Sequence, residues 1–170
     1  MPSGSLTIEQ ALTLLAATPL RIVALTTDLT PAQSHTTPSQ GGWSVNDVLA
    51  HLRACADVWG NCIVAIITED TPTLRAVNPL TWIKKTDYLE LEFQPSLRSF
   101  ATQRAELLAV LKPLPHEGWS RAATVTGAGK VLEWTVLSYA QRLARHERPH
   151  VKQIERIVNT MRMERQLPLE

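Results

Sequence analysis

Apolar residues recur with the period of an α-helix in the first part of the chain. Over residues 7–29 they fall near one face, with Pro19 expected to bend or break the helix. A second helix is predicted to begin after Ser44, because Asp47 follows three residues later in a capping-box arrangement. Its buried stripe continues at steps of three and four residues to about Thr68.

Two more helices are predicted in the second half, over residues 95–111 and residues 131–161. No segment shows sustained strand alternation, although the glycine-rich loop after the third helix has room for a short hairpin. Residues 70–93 show no convincing period, and a crossover this long would let helices two and three run parallel. The pattern therefore predicts an all-α, four-helix bundle, which we take as one domain over residues 1–170.

Composition and charge narrow the class of protein. The chain has 170 residues, 44% apolar and 19% charged, with a net charge of +1 and basic residues scattered along its length. Nucleic acids and anionic membranes require a clustered basic surface, so neither is an expected partner. Cys55 and Cys62 lie in one predicted helix, roughly 10 Å apart and beyond disulfide reach.

The cellular location is also an expectation from sequence. Residues 1–10 contain no basic stretch followed by an apolar one, so no signal peptide is expected. The longest strongly apolar run, residues 62–67, is far short of the ~20 residues that span a bilayer. We expect a cytoplasmic protein.

Two histidines interrupt the apolar stripe of the fourth predicted helix. His146 and His150 are four residues apart and stand where the pattern calls for apolar side chains. Side chains at i and i+4 lie about 6 Å apart on one face, so the two rings can converge on one metal ion. His51 lies at the border of the buried stripe on the second helix. The alternatives are half-buried histidines satisfied by water or acids, and a core His51 with one hydrogen bond.

Four other residues have side chains that could bind a metal: Cys55, Glu147, His35 and His116. Cys55 is one turn beyond His51 and is either near the same ion or a small buried apolar residue. Glu147 adjoins His146 but points about 100° away around the helix, which disfavours a role as ligand. His35 and His116 lie in polar loops and are expected to be exposed.

Two motifs together resemble the DinB superfamily of DinB/YfiT-like bundles. Residues 42–52, Gly-Trp-Ser-Val-Asn-Asp-Val-Leu-Ala-His-Leu, resemble the start of that family's second helix. Residues 146–154, His-Glu-Arg-Pro-His-Val-Lys-Gln-Ile, resemble its fourth-helix signature of two histidines four apart followed by Gln-Ile. The order of the motifs, the helix lengths and the long crossover also fit, so the resemblance covers nearly the whole chain.

The resemblance implies an up-down-down-up bundle, often a homodimer. It further implies a divalent metal, zinc or nickel with manganese and iron as alternatives, bound by His51, His146 and His150. Several members of the family act as thiol-dependent S-transferases or isomerases that use bacillithiol, mycothiol or glutathione. Pro149 departs from the family pattern, which commonly has a helix-compatible residue there, and leaves the exact shape of the site open.

Three imidazole ligands leave at least one coordination position of the ion open, as in catalytic rather than structural zinc sites. The leading hypothesis is metal-assisted transfer of a low-molecular-weight thiol onto a small electrophile. The alternatives are a metal-dependent hydrolase and a non-catalytic dimeric bundle that binds metal or ligand. Cys55, Tyr139 and Arg104 are candidate pocket residues. Arg104 would either orient an anionic substrate or extend along the edge of the bundle.

Overall fold

The computed structural model describes residues 4–168, so the predicted domain limits, 1 and 170, lie outside it. Four long helices make up most of this part of the chain: α1 Ile8–Thr26, α2 Val45–Thr68, α3 Phe93–Leu111 and α4 Val136–Arg165. Helices α3 and α4 each pack against both α1 and α2, so consecutive helices α1 and α2 face each other diagonally. The four-helix bundle predicted from periodicity is confirmed. The up-down-down-up order stays a prediction.

The apolar stripes meet in two clusters along the bundle. One contains Cys55 and Trp59 from α2 with Leu143 and Ala144 from α4. The other contains Leu52 from α2 and Val151 and Ile154 from α4, together with side chains of α3. On α4 the first cluster ends at Ala144 and the second begins at Val151. His146, Glu147 and His150 occupy the interval between them.

The start of α2 is fixed by the predicted capping box. The Ser44 hydroxyl accepts from the Asp47 amide at 3.1 Å, and the Asp47 carboxylate accepts from the Ser44 amide at 2.9 Å. Helix α4 begins with a similar reciprocal cap between Thr135 and Ser138, five residues later than predicted. The predicted start was wrong because Leu132, which fits the helical period, belongs to a strand that precedes the cap.

Helix α1 continues through Pro19 without the predicted break. Proline has no amide hydrogen, so the carbonyl of Leu15 loses its usual donor. The buried guanidinium of Arg104 in α3 donates to that carbonyl at 3.0 Å. A side chain from a neighbouring helix therefore supplies the hydrogen bond that the proline removes.

The expectation of no strands was wrong, although the short hairpin is present. Strand β1, Thr73–Arg75, pairs in parallel with β2, Ala122–Ala128, and β2 pairs antiparallel with β3, Lys130–Thr135. Gly127, at the irregular end of β2, and Gly129, between β2 and β3, have positive φ angles, which glycine adopts readily. Three-residue β1 is too short to show alternation in sequence, and it lies in the segment where no period was found.

The crossover between α2 and α3 is held against the bundle by Asp57. Its carboxylate accepts from the Trp82 indole at 3.0 Å, from the Tyr88 hydroxyl at 2.6 Å and from the Gln103 amide at 2.6 Å. The crossover itself contains two short helical turns, Pro79–Trp82 and Ile83–Lys85. Its lack of periodicity therefore reflects short elements anchored by polar contacts.

Helices α1 and α2 are long and apolar enough to cross a membrane by length and composition alone. In the most apolar stretch of each helix, 56% of α2 is buried inside the bundle, as in the core helix of a soluble protein, but only 28% of α1 is buried. Such a pair is weak evidence for membrane insertion.

Candidate metal centre

Three imidazole rings converge between α2 and α4. The Nε2 atoms of His51 and His146 are 2.9 Å apart, although 95 residues separate them in the chain. The ring centroid of His150 lies 4.8 Å from that of His51 and 4.7 Å from that of His146. Helix α4 continues through Pro149, so the proline does not separate its two histidines.

Cys55 extends the cluster on α2. Its Sγ lies 3.6 Å from His51 Nε2, and its side chain is fully buried. The potential ligand atoms of His51, Cys55 and His146 all lie within 4.8 Å of one another. His150 is outside this tight group, although its ring adjoins both other rings. The structure thus places Cys55 beside the same cluster and also buries it, so both interpretations of this residue from sequence hold.

The donor set fits a divalent metal. Two nitrogens on a tetrahedral zinc ion, with bonds of roughly 2.0–2.1 Å, are about 3.3 Å apart, and a nitrogen and a sulfur about 3.6 Å apart. The distances from His51 Nε2 to His146 Nε2 and to Cys55 Sγ are 2.9 and 3.6 Å. Small movements of the side chains would therefore admit such an ion.

Burial keeps the imidazoles of His51 and His146 in the neutral form that binds metals. The pKa of His146 is lowered to about 4 by burial, with further lowering by the charges of His150, His51 and Arg142. The pKa of His51 is lowered by burial and by His150. Burial also raises the pKa of the Cys55 thiol to about 12, with a contribution from Glu147. Without a bound cation, Cys55 is therefore a neutral thiol.

Neighbouring side chains orient two of the rings. His150 Nδ1 is 2.9 Å from the Gln153 amide oxygen, so a proton on Nδ1 would leave Nε2 free to bind an ion. Trp43, directly before the Ser44 cap, stacks on His150 and contacts His51. Trp59 meets His146 edge-on at 5.1 Å. In contrast, the buried Nδ1 of His51 has no hydrogen-bond partner among residues 4–168.

A cleft opens beside His146 on the surface of α4. Trp134, Ser138, Arg142, Arg145 and Pro149 are among the residues that line it. Two of these residues are cationic, and no carboxylate lines the cleft within the described residues. The cluster is therefore accessible from a basic side of the bundle.

The other candidate residues do not line this cleft. Tyr139 contacts Trp134 and lines an adjoining cavity with Cys62, which shares Trp134 and Arg142 with the cleft. Arg104 is buried in an ion pair with Glu147, so it neither extends along the edge of the bundle nor faces the cleft. Glu147 points away from the histidine cluster, as its angle on the helix predicted. His35 and His116 are exposed, as expected.

Four residues at the centre were not found as site residues from sequence. From sequence, Trp43 and Trp59 could line a pocket or a dimer interface but fit a core equally well. Arg142 looks like an ordinary charged surface residue, and only the fold brings all three to the cluster. Gln153 had a signal, because it stands three residues after His150, within reach of that ring on one helix face.

A helical bundle with histidines from two helices meeting in its interior is an architecture typical of metal-binding proteins. The chain belongs to the DinB superfamily, whose sequence profile matches residues 14–154. It is 29% identical over 129 residues to "Putative metal-dependent hydrolase GK0616" of Geobacillus kaustophilus (strain HTA426), covering 74% of this chain and 70% of that protein.

A solved structure shows the same fold. It is that of YfiT from Bacillus subtilis, described as a probable metal-dependent hydrolase with an unusual four-helix bundle topology. The two chains align with a TM-score of 0.76 at 21% identity, over 95% of this chain and 93% of that one. At this level of identity the likeness concerns the fold.

Proposed function

We propose that the protein is a metal-dependent enzyme that transfers a low-molecular-weight thiol to a small electrophile. The observation that carries the proposal is a group of three imidazoles, without a carboxylate, beside an open cleft. Among residues 4–168, the potential ligand atoms around His51 come from histidine and cysteine alone. Three imidazole ligands are neutral, so they leave the positive charge of a bound ion uncompensated.

His51, His146 and His150 are the proposed ligands, with zinc or nickel as the expected ion. A divalent ion bound there would lower the pKa of a coordinated thiol or water. Trp43 and Trp59 would restrict access of bulk water, because their rings cover His150 and His146. Gln153 would hold the ring of His150 in orientation through Nδ1.

We propose a thiol rather than water as the nucleophile because the nearby carboxylates are already engaged in other contacts. Glu147 is paired with Arg104, and Asp57 accepts three hydrogen bonds from the crossover and α3. Neither is free to act as a general base at the cleft. In thiol transfer the sulfur forms a bond to carbon, the leaving group departs with its electron pair, and the thiol proton passes to solvent.

Hydrolysis is the second candidate, favoured by the descriptions of the Geobacillus protein and of YfiT. Water would then replace the thiol as the nucleophile at the same ligands. A bundle that binds metal without turnover is the alternative from a different class. We further propose that the protein is cytoplasmic. We also propose that it works on a small molecule as a homodimer, the assembly that the family resemblance implies.

Metal analysis and turnover of three proteins test the proposal: the wild type, His51→Ala and His35→Ala. The matched control removes an exposed histidine from a loop. We expect about one ion per chain in the wild type and the control, and its loss in His51→Ala. Thiol consumption with a panel of electrophiles should follow the metal. Equal consumption by His51→Ala would overturn the proposal.

Parallel assays separate the alternatives. Ester and amide hydrolysis without added thiol, lost in His51→Ala and kept in His35→Ala, would establish the hydrolase instead. Stoichiometric metal with neither thiol transfer nor hydrolysis across the panel would favour the non-catalytic bundle.

A further inference from the structure

Arg142 lies one turn before His146 on α4, with its guanidinium held between two indole rings. Its Cζ is 4.7 Å from the ring centroid of Trp59 and 5.0 Å from that of Trp134. Both distances are within the range of cation–π contacts. Trp59 also touches His146, so one aromatic side chain joins Arg142 to the histidine cluster. The position of the guanidinium is thus fixed by stacking.

The hydrogen-bonding groups of Arg142 are free for a ligand. Within residues 4–168 it forms no ion pair; the pairs present join Arg104 to Glu147 and Arg162 to Asp28. Its neighbours, in contrast, already have hydrogen-bond acceptors. Gln141 donates to the Ser5 hydroxyl and the Leu6 carbonyl, and Arg145 donates to the Gly4 carbonyl. Stacking on aromatic faces leaves the planar edge of a guanidinium available, and that edge matches a carboxylate in geometry.

We propose that Arg142 binds the carboxylate of the thiol substrate and so positions its sulfur at the histidine cluster. This assignment rests on the proposed function. The four residues from Arg142 to His146 span about 6 Å along the helix. A thiol whose carboxylate is a few bonds from its sulfur would reach both positions. The neutral remainder of such a molecule would lie against the exposed part of Trp134 in the cleft.

The thiol, rather than the electrophile, is assigned to Arg142 because the sulfur must be fixed relative to the histidines. Arg142 is on the same helix as His146 and His150, so its distance from both is set by the helix itself. The electrophile needs only to approach the sulfur from the open side of the cleft. Arg142 therefore determines which thiols are accepted.

Binding of two matched thiols tests the assignment, using mercaptobutyrate and its neutral analogue mercaptobutanol. Dissociation constants are measured by tryptophan fluorescence on metal-loaded wild type, Arg142→Gln and Arg156→Gln. The control removes an exposed arginine from the same helix. We expect the wild type and control to prefer mercaptobutyrate by about tenfold or more, a size expected of a charge-assisted pair. Arg142→Gln should show no preference.

Three results would overturn the assignment: a wild type without preference, a preference kept by Arg142→Gln, or an equal loss in Arg156→Gln. Arg142→Lys provides a second variant that keeps the charge but not the planar edge, and it should lose about threefold or more of the preference. Binding is measured rather than turnover. An Arg142-dependent preference without thiol transfer would refute the proposed reaction and leave the binding site established.

Discussion

Arg104 of α3 donates a hydrogen bond to Glu147 of α4 at 3.0 Å, and both side chains are buried, with 2% and 0% of their surface exposed. This pair ties the residue next to His146 to the opposite helix. Arg104 also donates to the Leu15 carbonyl that Pro19 leaves without a donor. One guanidinium therefore joins three helices behind the histidine cluster.

Removing one partner of this pair should destabilise the protein strongly. Glu147→Leu leaves a buried guanidinium without its counter-charge, and we expect the free energy of unfolding to fall by about 3–5 kcal/mol. Arg104→Met/Glu147→Leu should recover much of this loss. Urea unfolding measures both. The exposed pair of Asp28 and Arg162 is the control, where Asp28→Asn should cost about 0–1 kcal/mol. Equal costs at the two pairs would contradict the role of burial.

In the absence of a substrate thiol, Cys55 is expected to bind the metal in the coordination position that the substrate would take, because its Sγ lies 3.6 Å from His51 Nε2. Cobalt(II) bound to a thiolate gives a charge-transfer band in the near ultraviolet, which imidazole ligands alone do not give. We expect the band in the wild type and in Cys62→Ser, and its loss in Cys55→Ser. Cys62 lies seven residues further along the same helix and is a matched control. A wild type that binds cobalt stoichiometrically without the band would show that Cys55 is not a ligand.

Acid should destabilise the metal-free protein. The folded pKa of His146 is about 4, below its ordinary value of 6.5, and that of His51 is also lowered. Between these values the unfolded chain binds more protons than the folded one, so stability is fully present at pH 7 and is lost as pH falls from about 6.5 towards 4. Urea midpoints at several pH values measure this.

The same titration includes variants that identify the groups responsible. His146→Gln should show a smaller fall in the urea midpoint between pH 7 and pH 5 than the wild type, because it lacks one of the two histidines whose pKa is lowered in the folded protein. His35→Ala should behave as the wild type. A wild-type midpoint that stays flat or rises over this range would disprove the assignment.

Asp57 should control the attachment of the crossover. Asp57→Asn replaces a carboxylate that accepts three hydrogen bonds, and its amide group would face donors. We expect a loss of about 1–3 kcal/mol and faster proteolysis between α2 and α3. Asp70→Asn, at an exposed turn, is the control. If both variants are cleaved at the same rate as the wild type, the carboxylate does not anchor the segment.

The bundle could be predicted because local signals and helical periodicity agree. Ser44 and Asp47 form the predicted reciprocal cap, and Leu52, Cys55 and Trp59 are buried on one face of α2 as their spacing required. Strand β1 could not, because it is short and owes its existence to pairing with β2, far along the chain. A pairing between distant segments leaves no period in either.

The candidate site was predictable in part for a similar reason. His146 and His150 interrupt an apolar stripe, which makes them visible in sequence, and their adjacency to His51 followed from family resemblance. Arg142 and Trp59 give no such signal, because a charged residue on an outer face and an aromatic residue in a core are ordinary. Their contact depends on the packing of α2 against α4.

The long sequence separation of His51 and His146 has a consequence for folding. An ion held by both would close a loop of 95 residues and act as a reversible cross-link between the two halves of the chain. A covalent link that closes a loop of about 100 residues lowers the conformational entropy of the unfolded chain. By the chain-entropy estimate, this raises the free energy of the unfolded state by roughly 4.7 kcal/mol. Unlike a disulfide, this link would be broken when a chelator removes the ion and would form again when metal is added, with no oxidation or reduction.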